Sequence, residues 1–154
     1  MSALAAGLGA KVPADLIEDP AVLAYSQAEL ARDADYFPWS ARAILLKSSI
    51  EMIGHVRFHS RPDPDYLHDF ATNAVEVGYV IFAAHRRQRY AEEALVALMA
   101  WAQGSQGIAR MVASISPDNV PSLKLAAKLG FRKIGEHLDA VDGIEHVFLR
   151  DASA

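Results

Sequence analysis

The chain has 154 residues, no cysteine and a net charge of −4 with histidine neutral. That excludes disulfides, thiolate metal sites and a cysteine nucleophile, and it argues against a general nucleic-acid binder, whose domains carry a basic balance overall. Hydrophobic residues make up 52% and charged residues 22%, a globular rather than a disordered balance, and the length suits one domain over 1–154 around a single core.

The six histidines are scattered, with no HxxxH pair on a predicted helix, so no metal site is expected. The opening "MSALAAGLGA" lacks a basic n-region and is short for a signal peptide. No apolar run reaches ~18 residues, the length that would span a bilayer. The expectation is a soluble cytoplasmic protein with no membrane partner.

In chain order, "DPAVLAYSQAELARDAD" (19–35) predicts a helix, with Asp19 as N-cap and Pro20 in the first turn. "ARAILLK" (41–47) and "EMIGHVRFH" (51–59) predict two strands joined by a short turn. In the second, His55, Arg57 and His59 alternate onto one face. "SRPDPDYLHDFATNA" (60–74) is a loop by its Pro and Asp content, and an acidic one.

"VEVGYVIF" (75–82) is a third strand, with Val75, Val77, Tyr79 and Ile81 on one face. From Ala91 the apolar positions recur at helical spacing through Ala102, and Gly104 and Gly107 are expected to end that helix. A strand over 109–116 follows. "SPDNVPSLKLAAKLG" then predicts a short helix capped by Asp118 or Asn119 and stopped by Gly130. A hairpin closes the chain across "DAVDG". The order β-β-β-α-β-α-β-β predicts a mixed α/β domain around one sheet.

The junction "AAHRRQRYAEEAL" places Arg86, Arg87 and Arg89 ahead of the long helix. A helix N-terminus already presents unpaired amides and about +0.5 of an elementary charge. Adding formal cations is unfavourable unless an anion sits there, and phosphate is the usual occupant of strand–loop–helix junctions. The other reading is a solvated basic loop whose arginines pair with Glu92 or Glu93.

The segment "VEVGYVIFAAHRRQRYAEEAL" resembles the acyl-CoA signature of the GNAT superfamily of N-acetyltransferases, especially the branch of ribosomal-protein N-terminal acetyltransferases. There a strand reading EIGY runs into an R-x-x-G-x-A loop and a helix beginning TEAL. Glu76, Gly78 and Tyr79 match the strand, Arg86 and Ala91 the loop, and Glu93, Ala94 and Leu95 the helix. "SPDNVPSLKLAAKLGF" resembles the second signature, with Asn119, Ser122, Lys128, Leu129, Gly130 and Phe131 at matching positions.

The resemblance implies a GNAT-like fold: a mostly antiparallel sheet splayed between two central strands, with helices on both faces. It implies acetyl-CoA as co-substrate in the gap between strands 75–82 and 109–116. Its pantetheine arm would lie along Val80, Ile81 and Phe82, its pyrophosphate on Arg86, Arg87, Gln88, Arg89, Tyr90 and Ala91, with Asn119 and Ser122 helping from the second helix. Arg89 departs from the family by standing where the loop glycine belongs, a position where a positive φ would strain a side-chain-bearing residue by ~1–2 kcal/mol. The family's first strand is expected to be missing, which would leave an open sheet edge and invite a homodimer.

Acetyl transfer to an amine needs a base for the ammonium proton and an acid for the leaving thiolate. Glu76 is the first candidate base, on the cleft strand beside Gly78, and the alternative reading is an ordinary strand carboxylate paired with a cation. His55 and His59 follow, although alternation on a half-exposed strand also accounts for them. The tyrosine that serves many GNAT enzymes as general acid is replaced by Ala126, and an amide near Val80 is the expected oxyanion donor.

The function expected is acetyl-CoA-dependent N-acetylation of a primary amine, either a small molecule or a protein N-terminus. The alternatives are a non-catalytic GNAT-like domain and, on weaker grounds, RNA binding through Arg86–Arg89, a cluster without interleaved aromatics.

Overall fold

The computed structural model describes residues 9–11, 14 and 20–152. Helix α1 is Ala21–Arg32, with Pro20 at its N-cap position; the Asp19 cap expected from sequence lies outside the described residues. A 3-10 turn over Ala34–Trp39 leads into strands β1 (Arg42–Leu45) and β2 (Met52–Phe58). The acidic loop contains a one-turn 3-10 helix, Asp65–Leu67, and strand β3 spans Ala74–Ile81. After it come α2 (Tyr90–Gln106), β4 (Arg110–Ile115), α3 (Val120–Lys128), β5 (Arg132–Asp139) and β6 (Gly143–Asp151).

These strands form one mixed sheet in the order β1-β2-β3-β4-β6-β5. All neighbours are antiparallel except β3 and β4, which α2 joins by the crossover that parallel strands require. The helical stripe of α2 supplies Leu95, Leu98, Met99 and Ala102 to the main core, against Val56, Phe58, Val75 and Val77. Trp39 packs edge-on to Phe58 and Trp101 at centroid distances of 5.1 and 5.2 Å.

On the opposite face, α1 lies over the polar side of β2. The Tyr25 hydroxyl donates to His59 O at 2.5 Å, and Arg57 stacks on the Tyr25 ring at 4.6 Å. The strand that alternates in sequence is therefore covered on both faces, which is why His55 is only 9% exposed.

Gly104 does not end α2. The helix runs on to Gln106, and Gly107 stops it in the left-handed region at φ 71, donating to Gln103 O, because only at that position does the chain need the conformation that glycine adopts freely. Helix α3 is capped by Asn119, whose Oδ1 accepts from Ser122 N at 3.3 Å.

Pairing between β3 and β4 runs only from Ala74 opposite Arg110 to Glu76 opposite Val112. Beyond Glu76, β3 continues on β2, reaching Ile81 opposite Gly54, while β4 continues on β6, reaching Ile115 opposite His146. The two halves of the sheet diverge there and leave a wedge open.

Gly54 holds β2 close to β3, since a Cβ at this position would stand 2.1 Å from Val80 O, a backbone atom that cannot yield cheaply. Gly54→Ala is expected to destabilise the fold by about 1–3 kcal/mol, read as a lower urea midpoint at unchanged slope.

Candidate active site

The register of β2 and β3 decides what the wedge presents. His59 N donates to Glu76 O, and Phe82 N donates to Ile53 O, both at 2.9 Å. In an antiparallel ladder this alternation turns the backbone groups of the even-numbered β3 residues to β2 and those of the odd-numbered ones away from it. Val77, Tyr79 and Ile81 thus direct their peptide groups into the wedge. The oxyanion donor expected near Val80 is corrected by this pattern, because Val80 pairs with His55 and its amide turns to β2.

Two cavities occupy the wedge. One, of about 370 Å³, passes between the diverging strands: His59 and Gly78 line it on the α1 face, Leu95, Ala126 and Phe131 on the other, and Asp142 and Glu145 reach it from the closing hairpin. The other, of about 490 Å³, lies between the starts of α2 and α3 and is lined by Val80, Ile81, Arg86, Arg87, Ala91 and Pro121, among others. Tyr79, Asn119, Ser122 and Leu125 line both. The cavities therefore meet along that wall.

Glu76 is 5% exposed, and the register sets His59 directly across from it, with Nδ1 at 3.7 Å from Glu76 Oε2. Gly78 makes room for the imidazole, for a Cβ there would come within 2.5 Å of His59 Nε2. Burial pushes the His59 pKa below the ordinary histidine value, against the pull of Glu76 and with the help of Arg57. The imidazole is neutral at pH 7 and able to accept a proton. The Tyr66 hydroxyl lies beside Ser60 and Glu76, and burial raises its pKa.

Of the residues expected at the donor site, Val80, Ile81, Arg86, Arg87, Ala91, Asn119 and Ser122 line the second cavity. Arg86 Nε also donates to Ile81 O at 2.9 Å, which ties the loop to the end of β3. The others lie apart from it. Phe82 is buried with Met52, Gln88 accepts from the Tyr90 hydroxyl at 3.4 Å, and Tyr90 lines a separate cavity with Ile44 and Ile53. His55 lines none of these cavities, being enclosed between Ala43 and Val80 in the sheet.

Arg89 occupies the N-cap position of α2 in the left-handed region, φ 67. Its guanidinium turns outward, 76% exposed, and pairs with Glu92, which Lys128 also contacts at 2.7 Å. For Arg89 this is the solvated pairing with Glu92 weighed from sequence: the side chain neither reaches into the groove nor closes it. The backbone keeps the path that glycine would follow, and no side chain caps the first turn of α2, where Ala91 lines the second cavity.

Tyr79, Leu125, Asp142 and Glu145 were not singled out as site residues from sequence. Tyr79 read as one of an apolar stripe, and only the hairpin register brings Asp142 and Glu145, far along the chain, to a cavity at β3. The same hairpin gathers His137, Asp139 and Glu145, with ligand-type atoms within 4.8 Å of one another.

Residues 12–132 match the family described as "Acetyltransferase (GNAT) domain". The chain belongs to the GNAT acetyltransferase family. This GNAT domain is 23% identical over 124 residues to the uncharacterized N-acetyltransferase YnaD of Bacillus subtilis, covering 80% of this chain and 65% of the relative; it spans about two thirds or less of the curated relatives it matches. Among solved structures it shares its fold with the ribosomal-protein-S5-alanine acetyltransferase of Vibrio fischeri (21% identity, 80% of this chain and 67% of that one, TM-score 0.65). It also shares the fold of Mycobacterium smegmatis RimJ in complex with CoA-disulfide (16% identity, 86% and 78%, TM-score 0.57). Among the described residues no helix of this GNAT domain is long and apolar enough to cross a membrane.

Two outcomes follow from the geometry. Arg89→Gly removes left-handed strain of ~1–2 kcal/mol, offset in part by the freer unfolded chain. It is expected to melt no lower than the parent, whereas Arg89→Val, β-branched at positive φ, melts lower. Because burial disfavours charging His59, the unfolded chain takes up that proton more readily than the folded one. Stability is full above the ordinary histidine pKa of ~6.5 and falls as pH drops through it. Urea midpoints at successive pH values are expected to show that slope, reduced in His59→Gln.

Proposed function

We propose that this chain transfers the acetyl group of acetyl-CoA to a primary amine. The observation that carries the reading is the confluence of the two cavities at the point where β3 and β4 part. One is edged by the α2 N-terminus with Arg86 and Arg87, suited to a diphosphate; the other is edged by His59, Asp142 and Glu145, suited to a cationic amine. The likeness to RimJ, solved with CoA-disulfide, supports the donor assignment at the level of the fold.

Acetyl-CoA enters as a substrate, and the residues present fit it. The peptide groups of Val77 and Tyr79 and the Ile81 amide, unmatched by β4, offer the pairing edge for the pantetheine amides, a small-molecule form of strand addition. The amides at the start of α2 receive the diphosphate. Asn119, already held as the cap of α3, stands where both cavities meet.

On the other side of the sheet, the acceptor arrives as an ammonium and must lose a proton before attack. Neutral His59, backed by Glu76, is placed to take it. Alignment of the two substrates across the wedge supplies a further share of the rate.

Titration calorimetry with acetyl-CoA and release of free CoA thiol with simple amine acceptors test the reading. Saturable donor binding and amine-dependent thiol release are expected. Glu76→Gln should lower kcat by about a hundredfold with donor affinity retained. No donor binding up to millimolar concentrations would overturn the proposal and leave the chain a non-catalytic GNAT-like domain.

A further inference from the structure

The cavity wall at the α3 side lacks the phenol that the family resemblance would put at position 126. Ala126 is buried there, 5% exposed, and lines the first cavity. A different phenol reaches the same region from the opposite wall. Tyr79 belongs to the odd-numbered face of β3, which looks toward α2 and α3, and its Oη lies 2.8 Å from Ser122 Oγ in the first turn of α3. That hydrogen bond spans the wedge, tying the strand on one side to the helix on the other.

Position matters more than proximity here. Tyr79 and Ser122 line both cavities. If the donor's arm lies in one cavity and the amine stands in the other, the scissile C–S bond has to lie where the two meet. The side chains at that confluence are Tyr79, Asn119, Ser122 and Leu125, of which Leu125 has no proton to give, and the amide of Asn119 and the hydroxyl of Ser122 are far weaker acids than the Tyr79 phenol.

We propose that Tyr79, oriented by Ser122, is the general acid that protonates the departing thiolate, a role that rests on the acetyl-transfer reading above. The lone pair of the neutral amine forms the C–N bond, and the C–S bond breaks with its electron pair going to sulfur. The Tyr79 Oη proton passes to that sulfur, giving the free thiol of CoA. The nitrogen of the adduct sheds its second proton to solvent as the C–S bond breaks, the phenolate recovers a proton from solvent by way of Ser122 Oγ, and the proton removed from the ammonium at His59 returns to solvent, so that ammonium and acetyl-CoA give amide, free thiol and one proton with no other reactant. Burial holds the Tyr79 phenol above the ordinary tyrosine pKa, although its bond to Ser122 works against this. The phenol keeps its proton at neutral pH until a thiolate forms beside it.

Tyr79→Phe, Ser122→Ala and the parent chain are compared for kcat, for KM of the donor and for directly titrated acetyl-CoA affinity, with melting temperature as the control for folding. The phenylalanine ring keeps the packing of Tyr79, so Tyr79→Phe is expected to lose about a hundredfold in kcat while donor affinity stays within about threefold and the melting temperature holds. Ser122→Ala is expected to lose less, since the phenol remains. Retention of kcat within threefold in Tyr79→Phe overturns the assignment. So does a loss carried by KM and donor affinity together, which would make the tyrosine a wall of the binding groove. A parent chain that binds no acetyl-CoA fails the acetyl-transfer reading itself, an outcome separate from either of these.

Discussion

The parting of β3 from β4 after Glu76 is the constraint on which the rest of the molecule turns. Up to that residue the strands share a parallel ladder; beyond it each finds its partner on the far side, β3 on β2 and β4 on β6. Past Glu76 the strand is no longer sealed: Gly78 and Tyr79 are half-buried and Val80 is exposed, so the peptide groups that β3 turns away from β2 open on the wedge. An edge of that kind suits an extended ligand with amides of its own, as the acetyl-CoA proposal requires. Around it the chain arranges charge by side: helix amides and arginines at one end, carboxylates and a neutral imidazole at the other.

Local register carries much of that arrangement. Because the β2–β3 ladder continues through His59 and Glu76, a histidine from one strand and a glutamate from the next become cross-strand neighbours, and Gly78 leaves the space their contact needs. The same alternation aims Tyr79 at α3 while Glu76 points the opposite way. His59 and Tyr79 consequently line the first cavity from opposite sides of the sheet.

Much of this was legible in the residue order. The strand and helix succession and the arginine-bearing loop ahead of a helix start follow from spacing, the two signature segments from the resemblance to the GNAT superfamily, and the elements fall within a few residues of where periodicity puts them. The end of α2 was harder to read: Gly104 and Gly107 look alike in sequence, and only the left-handed φ of Gly107 distinguishes them. His55 and His59 sit on the same face in sequence too, yet one is sealed between strands and the other opens on a cavity, since β1 pairs with β2 no further than Val56 and leaves His59 with a strand on one side alone. Asp142 and Glu145 were not legible at all. Their place beside β3 depends on the path of a hairpin beyond β4, a non-local consequence that no window of sequence contains. Arg89 was legible as an anomaly and, by its spacing to Glu92, as half of a surface ion pair; which reading holds is decided by the outward rotamer, which the order of residues does not record.

The outward rotamer has a mechanical consequence. Arg89, Glu92 and Lys128 form a chain of charges from the beginning of α2 to the end of α3, the two helices that flank the donor groove. Arg89 and Lys128 are exposed and Glu92 is half-buried, so these links are largely open to solvent, where they are weak and yield to salt. The groove is thus fastened at its outer rim by a latch that added electrolyte loosens, and under the acetyl-transfer proposal the same latch bears on the passage of the nucleotide.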